Sequence, residues 1–203
     1  MKLTNKSFNK IKVVISGAGA AWIAIGKLLK IFWTEHIVMF DSKGAIHQWT
    51  HKKINKYKAE FVETNKEKYE GNLAWWIQNA DVFIGVSQPN ILTAEHIQTM
   101  NTQPIIFALS NPDPEILPEE AKRWWAYIVA TGRSDYPNQV NNVLVFPGIF
   151  KGALKPEIKH ITDIHKKKAA ILLADMIDNP TPENIIPDPF TIGIADTIAK
   201  AFS

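Results

Sequence analysis

Gly17 and Gly19 follow a continuous apolar run and precede a stretch with apolar residues at helical spacing, and Asp41 stands 24 residues after Gly17. In "VVISGAGAAWIAIGKLL" (residues 13–29) these glycines, with Ala20 and Ala21 behind them, would leave bare amides at a helix start. Such amides hold a pyrophosphate, aided by the helix dipole. An acid ending the next strand, as Asp41 would, accepts hydrogen bonds from adenosine ribose hydroxyls. A carboxylate there repels a 2′-phosphate and so favours NAD over NADP; Lys43 nearby offsets that repulsion and leaves NADP open. One position departs from G-x-G-x-x-G. The third small residue, where helix and strand backbones must pack closely, is Trp22. Its side chain has to point outward or push the helix away.

The elements that would position these residues alternate along the chain. Residues 11–16 read as a strand buried on both faces, and residues 19–32 as a helix. "HIVMFD" (36–41) is a second strand, residues 52–67 a polar helix with Tyr57 and Phe61 on one face, and residues 73–79 a short helix. Strands follow at 81–86, 104–109 and 126–130, with a last short one at 143–146; helices are expected at 93–100, 149–154, 162–176 and 192–202. Strands alternating with helices predict an α/β fold, a doubly wound, mostly parallel sheet with C-terminal helices. Ligands of such sheets lie beyond the carboxyl ends of the strands. Here those ends carry "SGAGAA", "DSKG", "GVSQPN", "ALSNPDP" and "TGRSDYPNQVNN". The organisation expected is one domain over residues 1–203, with an α/β core at about 12–155 and a helical segment at 156–203.

Composition narrows the function classes. The 203 residues are 46% hydrophobic and 21% charged, with a net charge of +3 and lysines spread along the chain. The one dense cluster, Lys166 to Lys168, falls in a polar helical stretch and reads as a solvated face. No nucleic-acid partner is therefore expected. There is no apolar run long enough to span a bilayer, and no membrane association is expected either. The absence of cysteine excludes disulfides and thiol catalysis and fits a cytoplasmic location. The six histidines show no metal-binding spacing, His160 and His165 being five apart. Ser134 and Asp135 resemble half of a triad, but no histidine is near and no G-x-S-x-G elbow exists.

"FALSNPDPEI" (107–116) and "ATGRSDYPNQVNNVLVFPGIFKGAL" (130–154), together with "VVISGAGAA", "DSKGAI" and "ADVFIGVSQPN" in the same order, resemble the NAD(P)-binding, Rossmann-like domain of malic enzymes. The likeness runs from about Lys12 to Ala201 and is nearest to the compact bacterial form. That family decarboxylates malate oxidatively to pyruvate and carbon dioxide, reducing NAD or NADP. The resemblance implies that Gly17, Gly19, Ala20 and Ala21 bind the pyrophosphate and Asp41 the adenosine ribose. It puts Val86 and Ser87 near the nicotinamide ribose. Asn111 and Asn142 would touch substrate carboxylate or nicotinamide ribose, with Asn141 a neighbour. Neutral amides can donate to a carboxylate without adding charge where hydride moves. Arg133 and Asp135 are better read as shaping the loop.

The family takes its general-base lysine, its acid tyrosine and three carboxylate ligands for Mg2+ or Mn2+ from a segment upstream of the glycine turn. Residues 1–12 contain no acid and no tyrosine. The expectation is therefore a cofactor-binding half, inactive alone, whose partner is an N-terminal malic domain on another chain or on a missing segment; the family also implies a homodimer. No catalytic residue and no metal ligand is expected in this chain. A non-catalytic nucleotide-binding or interaction subunit, or a decayed fragment, is the alternative. A different dinucleotide-dependent dehydrogenase shares the glycine turn but leaves "TGRSDYPNQVNN" unexplained.

Seven tryptophans beside ten glycines is a skewed balance, since glycine at 10 of 203 is about 5% against ~7% on average. Trp22 replaces the third glycine. Trp33 follows a helix, Trp49 sits in a turn, and Trp124 and Trp125 end the helix before "AYIVA". In the family these places commonly carry glycine, whereas Trp75 and Trp76 are explained equally well as core. UGA is a stop codon in the standard code, tryptophan in some bacterial lineages and glycine in others. A glycine-reading gene translated with the tryptophan table would show this pattern. Ordinary drift with loss of cofactor binding is the competing account.

Overall fold

Five of the apolar runs become the parallel part of one sheet. The computed structural model describes residues 2–17, 19–41, 44–47, 56–65 and 71–203. Ser42, Lys43 and Trp49 lie outside the described residues, as do 52–55 and 66–70. The chain packs as two compact units, Met1–Gly132 and Arg133–Ser203.

In the first unit the order along the chain is β1 (Lys12–Ser16), α1 (Ala20–Ile31), β2 (His36–Asp41), β3 (Gly44–Ala45), α2 (Lys56–Ala59), α3 (Leu73–Trp76), β4 (Val82–Gly85), α4 (Ala94–Gln98), β5 (Ile105–Ala108), α5 (Pro118–Arg123) and β6 (Ile128–Thr131). The sheet order is β3-β2-β1-β4-β5-β6, parallel throughout except for the two-residue β3, which pairs antiparallel to β2. Successive strands move outward to one side of β1 and then to the other. That reversal creates the switch point at which doubly wound sheets bind ligands.

The register makes the core. Val38, Val14, Phe83, Ile106 and Val129 stand side by side across five strands. All five are buried in one cluster with Trp76, Ile77, Leu92, Ile97 and Ile116. Because side chains alternate along a strand, a one-residue slip would move this row to the other face.

The second unit carries a 3₁₀ turn (Asn142–Leu144), α6 (Phe146–Ala153), α7 (Asp163–Ala174), α8 (Ile194–Ala199) and a final 3₁₀ turn (Lys200–Phe202). Thr162 opens α7 with a capping box: its hydroxyl accepts from the His165 amide, and His165 Nδ1 accepts from the Thr162 amide. α6 has two unlike faces. A Cβ on Gly148 would lie 2.5 Å from Ile198 Cβ, and one on Gly152 would collide with the Phe202 ring. These glycines let α6 approach α8 and the last turn closely. On the other side, Phe146, Phe150 and Leu154 recur every four residues and are exposed, the two rings stacked 5.7 Å apart.

Two expectations change. The strand expected at 143–146 is instead a 3₁₀ turn running into α6, with Pro147 in the first helical turn, where its missing N–H costs nothing. The helix expected over 52–67 is helical only at Lys56–Ala59 among the described residues, and turns follow to Thr64. Tyr57 and Phe61 consequently do not share a face; Tyr57 is exposed and Phe61 buried.

Candidate nucleotide-binding site

The parallel strands β1, β2, β4, β5 and β6 all end on one edge of the sheet, so the turns after them share that edge. Gly17 begins the first of them. Its φ is +151°, and a Cβ there would lie 2.8 Å from both the carbonyl oxygen and Cγ2 of Val86. Any other residue would force the loop after β4 away. The Gly17 N–H donates to Phe40 O at the end of β2, and Val86 N–H donates to Ser16 O. The Ser16 and Ser87 hydroxyls lie 3.1 Å apart. Thus the structure brings Gly17, Val86 and Ser87 together.

Gly19 caps α1 with extended backbone, and no side chain bonds to the helix start, which carries no acid in its first turn. Gly19, Ala20 and Ala21 are exposed, and a Cβ on Gly19 would meet nothing within 4 Å. The first amides of a helix have no intrahelical acceptor. An open cradle of amide donors at the positive end of a twelve-residue helix therefore suits an anion.

Trp22 does not block that cradle. Its side chain does not point outward, one of the two outcomes expected of it, but is fully buried. Its ring meets Phe61 edge-on at 6.4 Å, with the Lys58 ammonium 5.6 Å over its face. The close approach of helix to sheet occurs one turn later, at Gly26, where a Cβ would collide with Met39 and lie 2.7 Å from Phe61 Cε1. Among the described residues the Trp22 indole N–H has no acceptor.

Asp41 ends β2 with its carboxylate 2.8 Å from Lys58 Nζ, both side chains largely buried. Lys43 lies outside the described residues, so the cation observed beside Asp41 is Lys58. Sequence reading missed it, because seventeen positions separate the pair.

The loops after β4 and β5 are joined by Glu115. One carboxylate oxygen accepts from Ser87 N–H at 3.1 Å and the other from Ser110 N–H at 3.0 Å. Its main chain extends the connection, with Leu92 N–H donating to Glu115 O and Asn90 N–H to Pro114 O. Glu115 is fully buried; burial pushes its carboxyl above the usual range, against the downward pull of the amides. Gly85 is a glycine for the same reason, since a Cβ there would collide with this carboxylate. Asn111, next to Ser110, is exposed on the tied loop, and its peptide to Pro112 is cis. Glu115 reads in sequence as one more loop acid, and no local signal separates it from Glu119 or Glu120.

In the second unit, Arg133 and Asp135 form a two-point ion pair at 2.9 and 2.6 Å, which holds the Asp135 carboxyl below its ordinary range. Asn138, unremarked in sequence, is buried; its amide donates to Pro182 O at 2.8 Å and accepts from Ile185 N–H at 2.9 Å. Asn141 caps the 3₁₀ turn by accepting from Val143 N–H, leaving Asn142 as the exposed amide side chain of the pair. Among the described residues no group of three or more histidine, aspartate or glutamate side chains is placed to hold a metal ion. No helix among them is long and apolar enough to cross a membrane.

Strand order, switch point and glycine turn define a doubly wound, dinucleotide-type domain. The chain belongs to the malic enzyme, NAD-binding domain family, whose model matches residues 1–201. It is 48% identical over 99% of its length to the bifunctional malic/malolactic enzyme of Bacillus subtilis and covers 50% of that protein. It is 44% identical over 92% of its length to the NADP-dependent malic enzyme of Halomonas elongata and covers 44% of it. The solved NAD-dependent malic enzyme of Thermotoga maritima superposes with a TM-score of 0.93 at 43% identity, over 99% of this chain and 53% of that one. The chain thus spans about half the length of the relatives it matches.

Proposed function

We propose that this chain is the cofactor-binding half of a malic enzyme, serving as one NAD(P)-binding domain in the oxidative decarboxylation of malate to pyruvate and carbon dioxide. The observation that carries the reading is the packing of Gly17 against Val86. It sets an open phosphate cradle beside the β4 loop, within a chain whose family binds NAD.

The residues fit the group. Gly19, Ala20 and Ala21 present amides to a pyrophosphate, and the absence of a side-chain cap leaves those donors to the ligand. Asp41, held by Lys58, accepts from the adenosine ribose hydroxyls. Lys58 also softens the repulsion of a 2′-phosphate, so the site keeps access to NADP while its carboxylate favours NAD. Val86 and Ser87 flank the nicotinamide ribose. When bound, NAD or NADP supplies the acceptor for hydride from C2 of malate. Asn111 and Asn142 touch the substrate carboxylate or the nicotinamide ribose, by neutral donation.

The general base, the acid and the divalent Mg2+ or Mn2+ site belong to an N-terminal malic domain, on another chain or on a further segment of the same polypeptide. The exposed stripe Phe146, Phe150 and Leu154 is an apolar area available for a partner surface to cover. The complete enzyme works in the cytoplasm as a dimer.

Two assays test this. NADH fluorescence titration of the chain should show saturable binding. Malate-dependent reduction of NAD or NADP with Mn2+ should appear only when an N-terminal malic domain is joined or added. Binding without turnover in the reconstituted protein would favour the non-catalytic subunit instead. Absence of both, with glycine restored at position 22, would overturn the proposal.

A further inference from the structure

Seven non-glycine residues among those described have positive φ: Asn5, Trp33, Asn79, Asn90, Gln103, Trp125 and Asn138. Asn5, Asn79, Asn90, Gln103 and Asn138 carry side-chain amides, and asparagine in particular tolerates the left-handed region. The two tryptophans, at φ +68° and +71°, do not belong to that group. Both occupy the same place in the same motif. Beyond α1, Trp33 N–H donates to Lys30 O and Thr34 N–H to Leu29 O. Beyond α5, Trp125 N–H donates to Lys122 O and Ala126 N–H to Ala121 O. This paired bonding is the Schellman ending of a helix, whose left-handed residue is usually glycine because a Cβ is strained there. Burial offers neither ring any compensation, since Trp33 is 75% and Trp125 71% exposed.

Trp22 supplies a different observation, a buried indole N–H without an acceptor among the described residues, at the third position of the phosphate turn. Trp124 has negative φ and makes no such demand, and Trp75 and Trp76 lie within a helix.

We infer that the functional protein carries glycine at positions 22, 33 and 125, encoded by UGA in a lineage that reads this codon as glycine. The gene should then show UGA at all three positions; UGG at any of them overturns the inference. Peptide mass spectrometry of the protein from its native cells should find glycine at 33 and 125, and tryptophan there overturns it equally. A physical check needs no knowledge of the source. In the full recombinant chain, Trp33→Gly and Trp125→Gly should each raise Tm, by about 2–4 °C, while Trp76→Gly, which removes a core side chain, lowers it. A fall in Tm at both 33 and 125 would overturn the strain argument. None of these readouts depends on the proposed function.

A separate observation concerns Glu115, whose two oxygens each take an amide from a different loop. Resting on the dinucleotide reading above, the geometry points to Glu115 as a positioning residue that fixes Ser87 and Asn111 relative to each other for cofactor binding. Glu115→Gln exchanges one accepting oxygen for a donor with nearly the same volume. In the full chain it should weaken NADH binding roughly tenfold or more by fluorescence titration. Ile116→Val, a neighbouring core change, should lower Tm and leave affinity unchanged. Unaltered affinity in Glu115→Gln, or an affinity loss in Ile116→Val that tracks Tm in the same way, overturns the positioning role alone. Failure of the unmodified chain to bind NADH overturns the dinucleotide reading and this role with it.

Discussion

At the residue scale, the glycine turn after β1 depends on what is missing from Gly17. A methyl group there meets the carbonyl of Val86 at 2.8 Å, and the φ of +151° adds strain for any side chain. Gly17→Ala should therefore lower stability by about 1–3 kcal/mol in urea unfolding and weaken NADH binding more than the stability loss explains. Equal affinity in the variant would show that the β4 loop can shift at no cost to the site. The places of Gly17 and Gly19 after β1 and of Asp41 at the end of β2 were legible in sequence because they follow from spacing along two adjacent elements. Lys58, Glu115 and Asn138 were not. Their partners stand 17, 28 and 47 positions away, and chain distance of that kind carries no local pattern.

At the element scale, the strands were readable because both of their faces are buried, so an unbroken apolar run marks each one. The same rule misled at 143–146, where an equally apolar run enters a helix. There the deciding residue is Pro147, which suits a first helical turn and cannot serve a ladder. α6 then owes its position to small residues rather than large ones. Gly152→Ala would press a methyl group into the Phe202 ring, so we expect a loss of about 1–3 kcal/mol, measured as a lower unfolding midpoint. Its effect on NADH affinity should be small, because the side chain it would press on is Phe202 of the C-terminal turn. A stability change within about 0.5 kcal/mol would mean that α6 relaxes outward freely.

At the scale of the whole molecule, two packing units divide the chain at Gly132, within the "TGRSDYPNQVNN" stretch that sequence treated as one motif. Asn138 ties that stretch into the second unit through two hydrogen bonds, to Pro182 O and from Ile185 N–H, while Arg133 and Asp135 close a local ion pair within it. The α6 stripe of Phe146, Phe150 and Leu154 faces solvent in the described chain. In sedimentation velocity the isolated chain should self-associate with rising concentration, and Phe150→Ser should reduce that tendency without lowering Tm. A monodisperse parent at all concentrations would argue that the stripe is too small to recruit a partner.

That stripe also bears on how much of this chain a cell can keep. Quality-control machinery removes proteins that leave apolar surface uncovered. A chain marked in this way survives in proportion to how fully that face is covered, by a partner or by another part of its own polypeptide. The aromatic face of one eight-residue helix would then report to the cell whether the structure around it is complete.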